Sequence, residues 1–114
     1  MTISDFSHEQ KLALVGLMEA VVMANVTVTE GEQQQIGKVA DALGDEQYRL
    51  LLEEVEKRFT DMDSLKLFLE TVQDTDAREL IFGTVWEDAM ADPAMTELES
   101  DLLNWLAETW HIAK

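Results

Sequence analysis

The chain has no cysteine among its 114 residues. That absence removes disulfides, thiolate nucleophiles, zinc–thiolate sites and iron–sulfur clusters together. Proline occurs once and glycine five times, so little interrupts regular structure and the composition is unlike that of a disordered linker. Basic residues are scarce: 8 Lys and Arg stand against 24 Asp and Glu, a net charge of −16. After Arg78 no Lys or Arg appears until Lys114, while eight acids intervene. A field of that sign repels phosphate backbones and anionic lipid, which argues against nucleic acid and membrane as partners and favours cations or a protein with a basic surface. Long hydrophobic runs are missing as well. The most apolar stretch, Leu12 to Ala24, is broken by Glu19 and too short to span a bilayer. The N-terminus, MTISDFSHEQ, has neither the basic segment nor the apolar stretch of a signal peptide. A soluble cytoplasmic protein is expected.

What is present is apolar material in helical register. Apolar residues make up 46% of the chain, enough for one domain over residues 1–114 to bury a core without staples. No stretch shows sustained strand alternation, and the spacing predicts six main helices. The first runs from His8 to Ala24, opened by a Ser7/Gln10 capping box, and is apolar nearly all round, so it should be central. The second starts at Thr29, carries Ile36, Val39, Ala40 and Leu43 on a narrow face, and ends at Gly44 as a left-handed terminator. A third follows from Asp45 with Tyr48, Leu51, Leu52, Val55 and Phe59, and a fourth from Asp63 with Leu65, Phe68, Leu69 and Val72. The fifth spans Thr75 to Ala91 with Leu80, Ile81 and Val85, and the sixth spans Thr96 to His111 with Leu102, Leu103, Leu106 and Trp110. Six amphipathic helices with short links predict a compact all-α bundle.

The chain also writes one connection twice. A shift of 67 positions lays Met23-Ala-Asn25 on Met90-Ala-Asp92, Thr29 on Thr96, Glu30 on Glu97 and Glu32 on Glu99. Apolar pairs continue the match, with Ile36 on Leu103, Val39 on Leu106 and Leu43 on Trp110. Residues 8–44 and 75–111 therefore read as two copies of a helical hairpin, related by a pseudo-twofold with the third and fourth helices between them. Two copies are too few for a solenoid, so a closed globule is expected.

Much of the repeated pattern is capping. Thr29-Glu-Gly-Glu32 and Thr96-Glu-Leu-Glu99 are both T-x-x-E boxes, whose acids suit the start of a helix with or without a further role. Asp88 and Asp92 are different. They lie four apart at the end of the fifth helix, where the dipole disfavours acids and like charges at this spacing repel. Asp92 precedes Pro93 and serves equally as a turn initiator. Asp88, Asp92 and Glu99 together would converge carboxylate oxygens, the donors that calcium or magnesium prefers. The first copy has Val21 for Asp88 and Asn25 for Asp92, leaving Asn25, Glu30 and Glu32, so the second copy is the better candidate.

Met23-Ala-Asn25 with Thr29–Glu32, and Met90-Ala-Asp92 with Thr96–Glu99, resemble the TerB-like family, named for tellurite resistance. The resemblance extends over roughly residues 8–112 and implies an all-helical, internally symmetric domain in bacterial stress or tellurite-resistance systems. It also implies an acidic patch for a divalent cation, carried onto Asp92 and Glu99 and onto Asn25 and Glu32. The pattern's usual Asp-Gly is Asn25-Val26 in the first copy and Asp92-Pro93 in the second.

Other features are weighed against plainer explanations. Glu19 lies in the most apolar helix, where it faces a solvent gap, pairs with Lys11 or Arg49, or joins a polar site. His8 and His111 sit beside caps and carry no metal or catalytic pattern. Asp63-Ser64-Leu65 resembles the Asp-Ser-Leu of acyl carrier proteins, but Asp63 or Ser64 as a helix cap explains it as well. Trp86, Trp105 and Trp110 fall at helical spacing and read as core or interface, with Phe82 and Trp105 the aromatics for a dimer contact. No P-loop, nucleophile elbow, EF-hand or dinucleotide fingerprint occurs. The sequence thus points to a non-enzymatic binding or scaffold module with no organic cofactor and a divalent-cation site at the acidic hairpin. The alternative is an acidic decoy that imitates nucleic acid toward a basic protein partner. Oligomeric state is left open.

Overall fold

The computed structural model describes residues 2–23, 30–90 and 97–112, with side chains excepted at 21–23, 30–32, 35, 88–90 and 97–99. Among the described residues six α-helices follow one another: α1 (His8–Met23), α2 (Glu30–Leu43), α3 (Asp45–Arg58), α4 (Met62–Leu69), α5 (Thr75–Met90) and α6 (Glu97–Thr109). No strand occurs among the described residues. The molecule measures 32 × 30 × 28 Å, near-equal extents that belong to a closed globule and not to a solenoid.

Helix α1 is the hub. The Ser7/Gln10 box forms: Gln10 N–H donates to Ser7 Oγ at 3.2 Å, and Ser7 N–H donates to Gln10 Oε1 at 2.9 Å. Beyond that cap Leu12, Ala13, Leu14, Val15, Leu17 and Met18 are all at most 1% exposed. A helix buried on every side must be covered on every side, and α3, α4 and α5 all pack on α1. Gly16 makes one of these approaches close, since a Cβ there would stand 3.0 Å from Leu65 Cδ1 of α4.

The outer helices show the narrower faces their spacing predicts. Val39 and Leu43 of α2, Leu51 and Val55 of α3, and Leu102, Leu103 and Leu106 of α6 enter the core. Gly44 ends α2 and opens α3 with φ 93° and ψ 136°. That is an extended positive-φ conformation, not the expected left-handed helical one, and it still favours glycine.

Three local features differ from expectation. A short 3₁₀ turn at Ile3–Asp5 precedes α1 and packs on α2, with Phe6 buried behind it. The Ile3/Phe6 spacing of three is its sequence signature. Helix α4 begins at Met62, not Asp63, because Asp61 is its cap: Asp61 Oδ1 accepts from the Ser64 N–H at 2.8 Å. Phe82, read as a candidate for dimer contact, is only 7% exposed and stacks on Trp86 with ring centroids 5.9 Å apart.

At the C-terminus of α6 the Ile112 N–H donates to the Ala107 carbonyl at 2.9 Å and the His111 N–H to the Glu108 carbonyl at 3.4 Å. His111 has φ 55°. This double bond with a left-handed residue is a Schellman stop, usually made by glycine. His111→Gly is expected to raise stability by about 0.5–1 kcal/mol, read from the urea midpoint at unchanged slope.

Candidate functional site

The carboxylates singled out by the repeat sit where helices end or begin. Asp88 falls within the span of α5, Glu32 within α2 and Glu99 within α6. Their side chains, and Asn25 and Asp92 altogether, lie outside the described residues, as do Thr29, Thr96 and the side chains of Glu30 and Glu97 from the T-x-x-E boxes. The helices that carry them are placed: α5 packs on α1 and on α6. The last turn of α5 contains no basic residue, so nothing on that turn offsets its acids. Among the described residues no group of three or more His, Asp or Glu side chains is placed to hold a metal ion.

A second feature was only half visible in the sequence. Between α1, α3 and the α3–α4 junction lies a groove of about 540 Å³. Ala20, Val55, Phe59 and Met62 give it apolar walls, and Glu19, Glu56 and Asp61 give it carboxylates. Of the roles open to Glu19, pairing with Lys11 is not the one observed: Lys11 Nζ donates to Gln47 Oε1 at 3.3 Å. Glu19 Oε2 is instead occluded and without a hydrogen-bond partner among the described residues. Desolvation first, and the like charge of Glu56 second, push the Glu19 carboxyl above its ordinary value of 4.5.

Comparison with known families bears on the whole of this architecture. The family model described as tellurite resistance protein TerB matches residues 11–114. The chain belongs to the TerB family. Among curated proteins and solved structures none matches it.

In this TerB family member the remaining sequence candidates have structural duties. Ser64 sits in the α4 cap, its hydroxyl donating to the Asp61 carbonyl at 2.8 Å, which accounts for the carrier-like Asp63-Ser64-Leu65 as helix chemistry. His8 Nε2 is 2.9 Å from Glu54 Oε1 on the surface. Trp110 is buried in the core, and Trp105 is half-buried beneath Lys66, whose Nζ lies 5.0 Å from the ring centroid. No described helix is long and apolar enough to cross a membrane.

The Glu19 environment sets a pH dependence of definite sign. A carboxyl whose folded pKa exceeds its unfolded one favours the folded state below the unfolded value, and that contribution is lost as pH rises through the folded one. The ionised form is therefore carried at a cost at neutral pH. Glu19→Gln is expected to stabilise the TerB fold at pH 7 by no more than about 1 kcal/mol after solvent screening, because the side chain is half-exposed. Denaturation midpoints of the two proteins should converge as pH falls below 4.5.

Proposed function

We propose that this chain is a non-enzymatic binding or scaffold module of a bacterial stress or tellurite-resistance response, acting in the cytoplasm. Its working element is the second acidic hairpin. The observation that carries this reading is the sequence spacing of Asp88, in the last turn of α5, with Asp92 two residues past its end and Glu99 in the T-x-x-E opening of α6. Capping accounts for Glu99 but not for Asp88 at the negative end of a helix. The family match spans both hairpins and supports the reading, as does the packing of α1 on α5, the corresponding helices of the two copies.

The donor set fits a hard divalent cation. Asp88, Asp92 and Glu99 offer carboxylate oxygens alone, the ligands calcium and magnesium take. The first copy offers Asn25 and Glu32 and is the weaker site. A cation held there would supply positive charge and no redox chemistry. The hairpin's part is to gather like charges that repel until the ion neutralises them, and a basic protein partner then meets an acidic surface of altered charge.

Calorimetric titration with calcium and with magnesium, at moderate salt to suppress diffuse counterion binding, tests this. Saturable binding that disappears in Asp92→Ala/Glu99→Ala is the expected result. Weak, non-saturating heats identical in both proteins would reduce the motif to a capping device.

A further inference from the structure

The groove beside α1 has a chemistry the hairpin reading does not use. Its described lining contains three carboxylates and no Lys, Arg or His. The carboxylates are not equivalent. Asp61 is occupied with the cap of α4, where Ser64 N–H reaches its Oδ1 at 2.8 Å. Glu19 Oε2 is occluded and has no donor among the described residues, an arrangement that is costly for a charged acceptor. Lys11 and Arg58 are engaged with other partners. Arg58 Nη1 is 3.3 Å from Glu54 Oε2, and its guanidinium lies 4.8 Å from the Phe68 ring centroid. Lys11 is on Gln47.

The rest of the groove wall is largely hydrocarbon and aromatic, from Ala20, Val55, Phe59 and Met62. Met62 stands 41% exposed, an adaptable thioether open to solvent. The volume of about 540 Å³ lies in the range of small-molecule sites, roughly 300–1,000 Å³. Mostly apolar walls, with no three potential ligands placed to hold a metal among the described residues, are a poor cage for a hydrated metal ion, which needs about six oxygen donors.

We propose that this groove binds a small organic monocation, an ammonium group carried on an apolar, aromatic body. The ammonium pairs with the Glu19 carboxylate in the field of Glu56 and Asp61, and the body covers Val55, Phe59 and Met62. The ligand supplies the positive charge that the described lining lacks.

Titration of the labelled protein with phenethylamine, followed by amide NMR shifts in ~0.15 M salt, tests the proposal. Two controls separate its parts: 2-phenylethanol has the body without the charge, and methylamine the charge without the body. Phenethylamine should bind saturably, with shifts at Glu19, Phe59 and Met62, at least about tenfold tighter than either control. Glu19→Gln, which is expected to fold at least as well as the parent, should lose that tenfold and leave 2-phenylethanol unchanged. Ala20→Leu, which fills the groove, should weaken phenethylamine and 2-phenylethanol alike. Equal affinity for phenethylamine and methylamine, or full phenethylamine affinity in Glu19→Gln, would overturn the proposal. None of these variants touches Asp88, Asp92 or Glu99, so either site can fail without the other.

Discussion

Leu14→Ala is expected to cost about 3–5 kcal/mol. Leu14 has no solvent exposure and sits within an unbroken buried stretch of α1, between helices on several sides. The loss combines the transfer free energy of the deleted carbons with a cavity that helices held on several sides cannot close. Against a total stability of about 5–15 kcal/mol for a domain of this kind, such a loss leaves little folded margin. Thermal melting should fall by roughly 10–20 °C. Leu67→Ala is the control: with 67% of Leu67 exposed, the same chemical change should stay within about 0.5 kcal/mol. A ratio near one between the two would mean that α1 is not the hub.

Trp110 should give an effect of the same size, about 3–5 kcal/mol for Trp110→Ala and roughly 1.5–3 kcal/mol for Trp110→Phe. The indole is 3% exposed, and its Nε1–H donates to the Leu69 carbonyl at 3.0 Å across 41 residues of chain. Nearby, Arg78 Nε donates to the Val72 carbonyl at 2.6 Å while its guanidinium lies 5.9 Å from the Trp110 ring centroid. Side chains from beyond α6 and from α5 thus hold the carbonyls that α4 and the following turn leave over. Phenylalanine keeps most of the packing but returns no donor to Leu69, so the Phe variant isolates the tie between chain segments. Urea unfolding of both variants measures it, and Trp105→Phe, at a half-buried site, should cost under about 1 kcal/mol.

What could be read ahead of the structure was local. The Ser7/Gln10 cap, the all-round apolar α1 and the positive φ of Gly44 depend on residues a few positions apart, and the sequence states them directly. The start of α4 was displaced because Asp61 and Asp63 both precede the apolar residues, and only the Ser64 geometry selects Asp61. The Trp110–Leu69 bond and the solvent exclusion of Phe82 depend on how distant helices meet, which spacing does not encode. Glu19 shows the boundary well. The sequence marked it as a charge in the wrong place, whereas the groove that surrounds it is made by α3 and the α3–α4 junction. Of the hairpin carboxylates, the sequence supplies the spacing alone.

That the second hairpin is a cation site and the first a weaker copy is tested most directly by following backbone amides through a calcium titration. Saturable shifts at Asp88, Asp92 and Glu99 that fit one dissociation constant are expected, with smaller and later shifts at Asn25 and Glu32. Small shifts that rise linearly with calcium and spread evenly over the acidic surface would contradict it.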